Sequence, residues 1–255
     1  MTKLANKIAL VTGGSRGLGK DQALRLAEYG SDVIITYRSN EDAAQEVVSA
    51  IEQQGQKAVA LQLDVANVKS FDTFFAQVKE QLHEYWNRDN FDFLVNNAGV
   101  NAHGMIGQVD EETFDTLNNT HFKGAYFLTQ KALPLLADGG RIINISTGLA
   151  RFSLPGYSAY AAMKGAMETF TRYLAKELGS RKITANVVAP GAIATDFNRG
   201  DFAAMPQMKE IIASQTALGR VGEAEDIGGV VAFLCTEDAR WVNAQRIEAS
   251  GGMFL

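Results

Sequence analysis

The stretch Ile8-Ala9-Leu10-Val11-Thr12-Gly13-Gly14-Ser15-Arg16-Gly17-Leu18-Gly19 starts with four apolar residues and ends in a cluster of glycines. The apolar run predicts a buried strand, and the pattern of Leu18–Glu28 predicts a helix directly after it. Glycine lets the backbone adopt positive φ and approach a ligand closely. A helix N-terminus offers free N–H groups to an anion. The arrangement therefore predicts a dinucleotide-binding loop, with cofactor contacts at Gly13, Ser15, Arg16, Gly17, Leu18 and Gly19.

Apolar runs alternate with longer amphipathic stretches along the rest of the chain, which is typical of βαβ units and a parallel sheet. The other predicted strands are Val33–Tyr37, Ala58–Leu63, Phe91–Val95, Arg141–Ile145, Ile183–Val188 and Arg246–Glu248. The other predicted helices are Glu41–Gln54, Lys69–Trp86, Glu111–Leu136, Tyr157–Leu178 and Glu225–Cys235. Most strands are rich in Val, Ile, Leu and Ala, as expected for strands covered on both faces. We find no repeat or linker, so residues 1–255 are expected to form one α/β domain.

Composition narrows the range of partners. A formal charge of −5 and a pI near 5.3 argue against nucleic acid or an anionic membrane as the main partner. No apolar run approaches the roughly 18–20 residues that a membrane span needs, and the N-terminus does not have the pattern of a signal peptide. The single cysteine, Cys235, is typical of a reducing compartment. We therefore expect a cytoplasmic protein that acts on a small molecule and holds no metal.

The residues after the second predicted strand indicate which dinucleotide binds. An NAD site has Asp or Glu there to accept hydrogen bonds from the ribose, but this chain has Tyr37-Arg38-Ser39-Asn40. Arg38 and Arg16 together could bind a 2′-phosphate, which predicts NADP. The alternative is that both are solvated surface arginines.

Polar and small residues also follow the later strands. They are Asp64-Val65, Asn96-Asn97-Ala98-Gly99, Ser146-Thr147 and Pro190–Asp196. Asp64 suits either the adenine amino group or the cap of the next helix. Open parallel sheets bind ligands at the carboxyl ends of their strands, so these residues are expected at one site.

Tyr160 and Lys164 are four residues apart in a predicted helix and therefore share a face. A phenol with a pKa near 10 is a poor acid–base catalyst at neutral pH. A nearby ammonium favours the phenolate, so Lys164 is expected to lower the pKa of Tyr160. The alternative is an ordinary Tyr packed beside a solvated Lys.

Taken together, these motifs resemble the short-chain dehydrogenase/reductase family from about Lys7 to Gly252. The matching segments are Thr12–Gly19, Asn96–Gly99, Tyr160 with Lys164, and Pro190–Thr195. The resemblance implies a three-layer Rossmann-type fold with seven parallel strands in the order 3-2-1-4-5-6-7 and helices on both faces. It also implies a nicotinamide cofactor and usually a homotetramer. Its further cofactor contacts are Asp64, Val65, Asn97, Ala98, Gly99, Tyr160, Lys164, Pro190, Gly191, Ile193 and Thr195.

The sequence departs from the family pattern at two catalytic positions. The family's serine, thirteen residues before the tyrosine, falls on Thr147, which keeps the hydroxyl. Ser146 is a second candidate, but neighbouring strand residues point to opposite faces. The family's relay asparagine falls on His121, which either continues the relay or only packs its helix.

These features predict an NADP(H)-dependent oxidoreductase that transfers a hydride between the nicotinamide and a carbonyl or secondary alcohol. The sequence favours a small ketone, sugar or polyol as the substrate, and a 3-oxoacyl thioester is the alternative. The expected pocket is lined by Asn101–His103, Gly148–Phe152 and Phe197–Ser214, with a lid at about 196–218. The apolar C-terminus, Gly251–Leu255, is expected in a subunit interface. The rival hypothesis is an idle NADP-binding sensor on the same fold.

Overall fold

Parallel strands form the centre of the protein, which we describe from a computed structural model covering residues 3–198 and 207–255. Over these ranges the sheet has seven strands in the order β3-β2-β1-β4-β5-β6-β7, and every neighbouring pair is parallel. The predicted strand order is therefore confirmed. The strands are β1 (Ile8–Val11), β2 (Asp32–Tyr37), β3 (Ala58–Gln62), β4 (Phe91–Asn96), β5 (Leu136–Ile145), β6 (Thr184–Pro190) and β7 (Arg246–Ala249).

Helices cover both faces of the sheet, because its strands are apolar on both sides. One buried apolar cluster packs α1, α2 and α8 against the sheet, and a second packs α3, α5 and α6 against the opposite face. The three-layer architecture is thus confirmed. The helices are α1 (Gly17–Glu28), α2 (Glu41–Gln53), α3 (Phe71–Trp86), α4 (Glu111–Asn118), α5 (Ala125–Ala132), α6 (Ser158–Glu177), α7 (Met208–Ser214) and α8 (Glu225–Cys235). Among these described helices, none combines the length and the apolar character that crossing a membrane requires.

The predicted helix Glu111–Leu136 is wrong in two respects. Helix α5 ends at Ala132, and Leu136 instead begins β5, where it pairs with Phe91. Pro134 lies two residues beyond the helix end, and proline cannot continue a helical hydrogen-bond ladder. Between α4 and α5, residues Asn119–Gly124 form a π-helical turn, a widening that often occurs at functional sites.

The strand order places a crevice between the carboxyl ends of β1 and β4. The chain reverses its direction of winding at β1, since β2 and β3 lie on one side and β4 to β7 on the other. Ligands of open α/β sheets bind at such a switch point. The glycine loop follows β1, and Asn97 follows β4, so both motifs lie in this crevice.

Candidate active site

A single cavity of about 770 Å³ runs along the carboxyl edge of the sheet. Every residue that the sequence predicted for cofactor binding or catalysis lines it. In space, the cavity joins the glycine loop, the ends of the strands, the first turns of α6 and the C-terminus. Residues from Gly13 to Phe254 therefore meet at one place, although they are spread over almost the entire chain.

The glycine loop has the shape of a phosphate cradle. Gly13 and Gly17 have φ values of 66° and 54°, which are readily adopted only by glycine. A Cβ at Gly19 would lie 2.2 Å from the carbonyl oxygen of Gly13, so a side chain cannot fit there. The loop then enters α1, whose N-terminus favours an anion. This geometry fits the pyrophosphate of a dinucleotide.

Asn97 supports this loop from the neighbouring strand. Its side-chain nitrogen donates to the Thr12 carbonyl at 2.9 Å, and the Thr12 hydroxyl accepts from the backbone N–H groups of Asn97 and Ala98 at 2.9 and 3.0 Å. The sequence suggested that Asn97 borders the cofactor, and it does line the cavity. Its hydrogen bonds also make it a support of the glycine loop. The role of Thr12 was not predicted.

The far end of the cavity contains the two predicted arginines. Arg16 and Arg38 both line it, together with Ser39 and Asn40. Asp64 also lines the cavity and accepts a hydrogen bond from the Ala66 N–H at 3.0 Å within its own turn, so it does not cap the next helix, and the contact with adenine stays a prediction. Two guanidinium groups on one cavity wall match the chemistry of a ribose phosphate.

The two candidate hydroxyls at the end of β5 point in different directions, as strand alternation requires. The Ser146 hydroxyl donates to Glu168 Oε1 at 2.7 Å. Thr147 instead lines the cavity together with Tyr160, where its hydroxyl acts to lower the pKa of the phenol, and it accepts from the Leu149 N–H at 3.3 Å. Thr147 is therefore the hydroxyl placed beside the tyrosine.

Tyr160 and Lys164 lie on the first two turns of α6. The Lys164 ammonium donates to the Ile145 carbonyl at 2.7 Å and lies 5.8 Å from the centre of the Tyr160 ring. Burial lowers the pKa of Lys164 to about 8. Burial also raises the pKa of Tyr160, although the hydrogen bond with Thr147 opposes this. The net lowering expected from Lys164 is not observed in this structure, because the loss of solvent around the phenol dominates the shift. Tyr160 is protonated at neutral pH.

His121 lies in the π-helical turn, with its ring edge-to-face against Tyr160 at 5.0 Å between centroids. Its Nε2 atom lies 2.8 Å from the Val100 carbonyl oxygen, while the buried Nδ1 atom has no hydrogen-bond partner among the described residues. Burial, and secondarily the charge of Lys164, lower the pKa of His121 to about 3. The imidazole is therefore neutral. A small cavity of about 10 Å³, close to the volume that one water needs, adjoins His121, Lys164 and Asn96.

The expected pocket lining is only partly observed. Gly148, Leu149, Phe152, Phe197 and several residues of α7 line the cavity, but Asn101–His103 do not. Asn101 instead donates to the Phe197 carbonyl at 3.1 Å and so supports the wall from behind. Residues 199–206 of the expected lid lie outside the described part of the chain.

The C-terminus, for which a subunit interface is expected, packs in part on its own subunit, and the interface itself stays a prediction. Met253 is buried, and the Phe254 ring lies 4.6 Å from the Phe152 ring, both lining the cavity. The signal in the sequence was the pair Gly251-Gly252, because two adjacent glycines permit a sharp reversal before an apolar end.

Comparison with known proteins agrees with this geometry. A family model described as enoyl-(acyl carrier protein) reductase matches residues 13–254. The chain is 39% identical to a hydroxynaphthalene reductase-like protein of Metarhizium brunneum, over 98% of this chain and 95% of that protein. It is 37% identical to a 3-oxoacyl-[acyl-carrier-protein] reductase of Staphylococcus aureus, over 98% of both.

A solved structure is equally similar. An angucycline C-6 ketoreductase with bound NADP shares 39% identity at a TM-score of 0.93, over 99% of this chain and 97% of that one. Fold, motif order and these matches agree over nearly the whole length, and the chain belongs to the short-chain dehydrogenase/reductase family.

Proposed function

We propose that this chain reduces a ketone to a secondary alcohol with NADPH, and catalyses the reverse reaction on the alcohol. The cofactor is NADP(H), as the sequence predicted: the similar angucycline ketoreductase holds NADP, and Arg16 and Arg38 share a wall of the cavity. The observation that carries the proposal is that Tyr160, Thr147 and Lys164 line the same cavity as the glycine cradle.

The chain's own residues handle the proton and the orientation of the substrate. Bound NADPH supplies the hydride. Tyr160, protonated at neutral pH, donates its proton to the carbonyl oxygen as negative charge develops there. Thr147 holds the same oxygen by a hydrogen bond, and the Lys164 ammonium stabilises the resulting phenolate. The cofactor itself would be held by the loop Gly13–Gly19, by Arg38, and by the residues that line the cavity from the ends of β3, β4 and β6.

We further propose that His121 takes part in returning a proton to Tyr160. Its contact with Tyr160 and the water-sized cavity beside Lys164 support this role. Because the imidazole is neutral, it would pass a proton through a hydrogen-bonded chain and would not store one. The variant His121→Phe keeps the ring volume but removes both nitrogens, while His121→Asn keeps an amide.

The two variants separate a relay from simple helix packing. We expect the kcat of His121→Phe to fall at least about tenfold with KM nearly unchanged, and that of His121→Asn to stay within about threefold. The solvent isotope effect on kcat, measured across pH, should differ from that of the wild type in His121→Phe but not in His121→Asn. An unchanged kcat in His121→Phe would identify His121 as a packing residue.

The proposal extends to the organisation of the enzyme. We propose that residues 1–255 form one domain, with a lid at about 196–218 that includes α7, and that the enzyme acts as a homotetramer in the cytoplasm. Exposed aromatic residues on α5 and α6, among them Phe127 and Tyr173, support an interface there. The single thiol, Cys235, is buried, and burial raises its pKa to about 12, so it is inert in a reducing compartment.

The decisive experiment measures NADPH consumption with a panel of ketones, sugars and 3-oxoacyl thioesters. Tyr160→Phe should lower kcat by at least about a hundredfold, because the proton donor is lost, while the Kd for NADPH stays within about twofold. The alternative of an idle NADP-binding sensor requires tight NADPH binding without turnover of any substrate. Full activity in Tyr160→Phe would contradict the proposed mechanism.

A further inference from the structure

One wall of the cavity is aromatic and joins two distant parts of the chain. The rings of Phe152 and Phe254 lie with centroids 4.6 Å apart at an interplanar angle of 55°, and both line the cavity that contains Tyr160. The ring of Phe152 also reaches the end of β5, because a Cβ at Gly148 would meet its Cε1 atom at 2.7 Å. Gly148 directly follows Thr147. The aromatic wall therefore adjoins the residues assigned to the reaction.

The position of Phe254 is fixed by what we call the C-terminal strap, residues 251–255. Gly251 and Gly252 have φ values of 64° and 77° and reverse the chain. Phe254 donates its N–H to the Gln215 carbonyl at 2.9 Å, next to α7. Phe254 itself has a φ of 53°, which a bulky residue adopts only when its surroundings impose it. The strap thus holds this ring in a strained but defined position.

An ion pair between Arg151 and Glu248 connects the two parts of the aromatic wall. Arg151 donates two hydrogen bonds to Glu248, at 2.7 and 2.6 Å, and further ones to the carbonyls of Met253 and Phe254, at 2.7 and 3.2 Å. Its guanidinium also lies 5.3 Å from the centre of the Phe152 ring. Arg151 consequently contacts the strap and Phe152 at once, and its charge is neutralised by Glu248.

The charges of the cavity restrict what can bind beside this wall. The charged residues among its described lining are Arg16, Arg38, Asp64, Lys164 and Asp196. The two arginines and Asp64 belong to the predicted dinucleotide site, and Lys164 is bonded to the Ile145 carbonyl. The remaining charge, Asp196, is a carboxylate and therefore offers no cation to an anionic substrate. In the described lining, no free cation is left for a phosphate or carboxylate group of a substrate.

Further apolar side chains line the same cavity as the aromatic wall. They are Leu149, Leu154, Ile211, Ile212 and Met253. Sugar hydroxyls placed against such a surface would lose their hydrogen bonds to water without replacement. Flat aromatic rings, in contrast, pack favourably against phenylalanine rings in tilted or offset arrangements.

We propose that Phe152 and Phe254 form a subsite for a flat, uncharged aromatic ketone, and that the Arg151–Glu248 pair positions this subsite. The inference rests on the proposed function and names its substrate class. The aromatic body of the substrate lies against the two rings, while its carbonyl points to Tyr160 and Thr147. Arg151 is a positioning residue, since it acts through the strap and Phe152.

The test compares three carbonyl compounds: 2-tetralone as the flat aromatic probe, 2,3-butanedione as a small one and acetoacetyl-CoA as an anionic thioester. We expect kcat/KM for 2-tetralone to exceed that for acetoacetyl-CoA at least about tenfold. In Phe254→Ala, kcat/KM for 2-tetralone should fall about tenfold because KM rises. The kcat/KM for 2,3-butanedione should change by less than about twofold. Arg151→Met should show the same selective loss, and Leu255→Ala, which alters an exposed strap residue outside the lining, should show none.

Direct binding separates a failure of this inference from a failure of the proposed function. Calorimetry measures the Kd of 2-tetralone for Tyr160→Phe enzyme saturated with NADP⁺, with and without Phe254→Ala. A Kd about tenfold weaker in the double variant supports the subsite even if the wild type turns over no ketone. If the enzyme turns over 2,3-butanedione or acetoacetyl-CoA but does not bind 2-tetralone, the proposed subsite is wrong and the proposed reductase function is retained. The subsite is also wrong if Phe254→Ala and Leu255→Ala change kcat/KM for 2-tetralone equally.

Discussion

Arg38 is the residue on which we propose that the choice of cofactor depends. It replaces the acidic residue that an NAD site needs and shares a cavity wall with Arg16. A charge-assisted hydrogen bond contributes about 1.5–3 kcal/mol, so we expect Arg38→Asp to lower the preference for NADPH over NADH by about 10- to 100-fold. Fluorescence titration with each cofactor measures this ratio. An Arg172→Asp variant makes the same charge change on the exposed surface of α6 and should leave the ratio unaltered.

At the scale of a few residues, the catalytic group depends on burial as much as on neighbouring charges. Tyr160 and Lys164 share a helix face, as their spacing predicts. The helix also carries both side chains into protein interior, so the pKa of the phenol rises while that of the ammonium falls. Each shift favours the neutral form, which is the expected effect of removing water.

At the scale of elements, helices α1 and α8 meet through a buried carboxylate. Asp21 accepts the Gly228 N–H at 2.9 Å, and a Cβ at Gly228 would lie 2.0 Å from the same carboxylate oxygen. Burial raises the pKa of Asp21 to about 6, although Arg25 opposes this. Glu225 and Asp226 of α8 face the same carboxylate and raise its pKa further.

This carboxylate predicts a pH-dependent stability. Because the folded pKa lies above the unfolded value of 3.8, the contribution of Asp21 is fully present below about pH 4 and is lost as the pH rises through 6. We expect Asp21→Asn to be more stable than wild type by about 1–3 kcal/mol at pH 8, with most of the difference gone at pH 4.5. Urea unfolding at both pH values measures this. A stability difference that is the same at both pH values would contradict the assignment, and Glu28→Gln on the exposed face of α1 is the control.

At the scale of the whole molecule, an exposed aromatic surface lies on α5 and α6. Tyr126 packs against Phe170 with centroids 4.5 Å apart, and Phe127 and Tyr173 are exposed beside it. Exposed aromatic residues of this kind often mark an interface between proteins. We expect sedimentation velocity to give the mass of four chains for the wild type, and a smaller mass for Tyr173→Arg.

A second aromatic residue tests whether this effect is specific. Tyr85 on α3 is also exposed, and Tyr85→Arg should leave the oligomer intact. If Tyr173→Arg kept the wild-type mass, the interface would lie elsewhere on the molecule.

Much of this protein follows from local sequence signals. The strand at Ile8–Val11, the glycine loop and the cofactor and catalytic residues that line the cavity could all be predicted. Each depends on short-range physics: apolar periodicity, the freedom of glycine, or the position of polar residues after a strand. Because parallel strands bring their carboxyl ends to one edge, a linear list of such residues was enough to define a site.

The tertiary structure alone decided the features that depend on distant neighbours. Apart from Pro134 near its C-terminal end, sequence patterns gave no reason to divide the predicted helix Glu111–Leu136. Gly124, however, packs so closely on the Val65 backbone that a Cβ would lie 2.1 Å from the Val65 carbonyl oxygen. The direction in which the pKa of Tyr160 shifts depended on how much water the fold removes from around the phenol. Phe254 joined the cavity through bonds to Arg151 and Gln215, which are about 100 and 40 residues away in the chain. Contacts across such separations leave no periodic signal in the sequence, because only the folded chain brings the partners together.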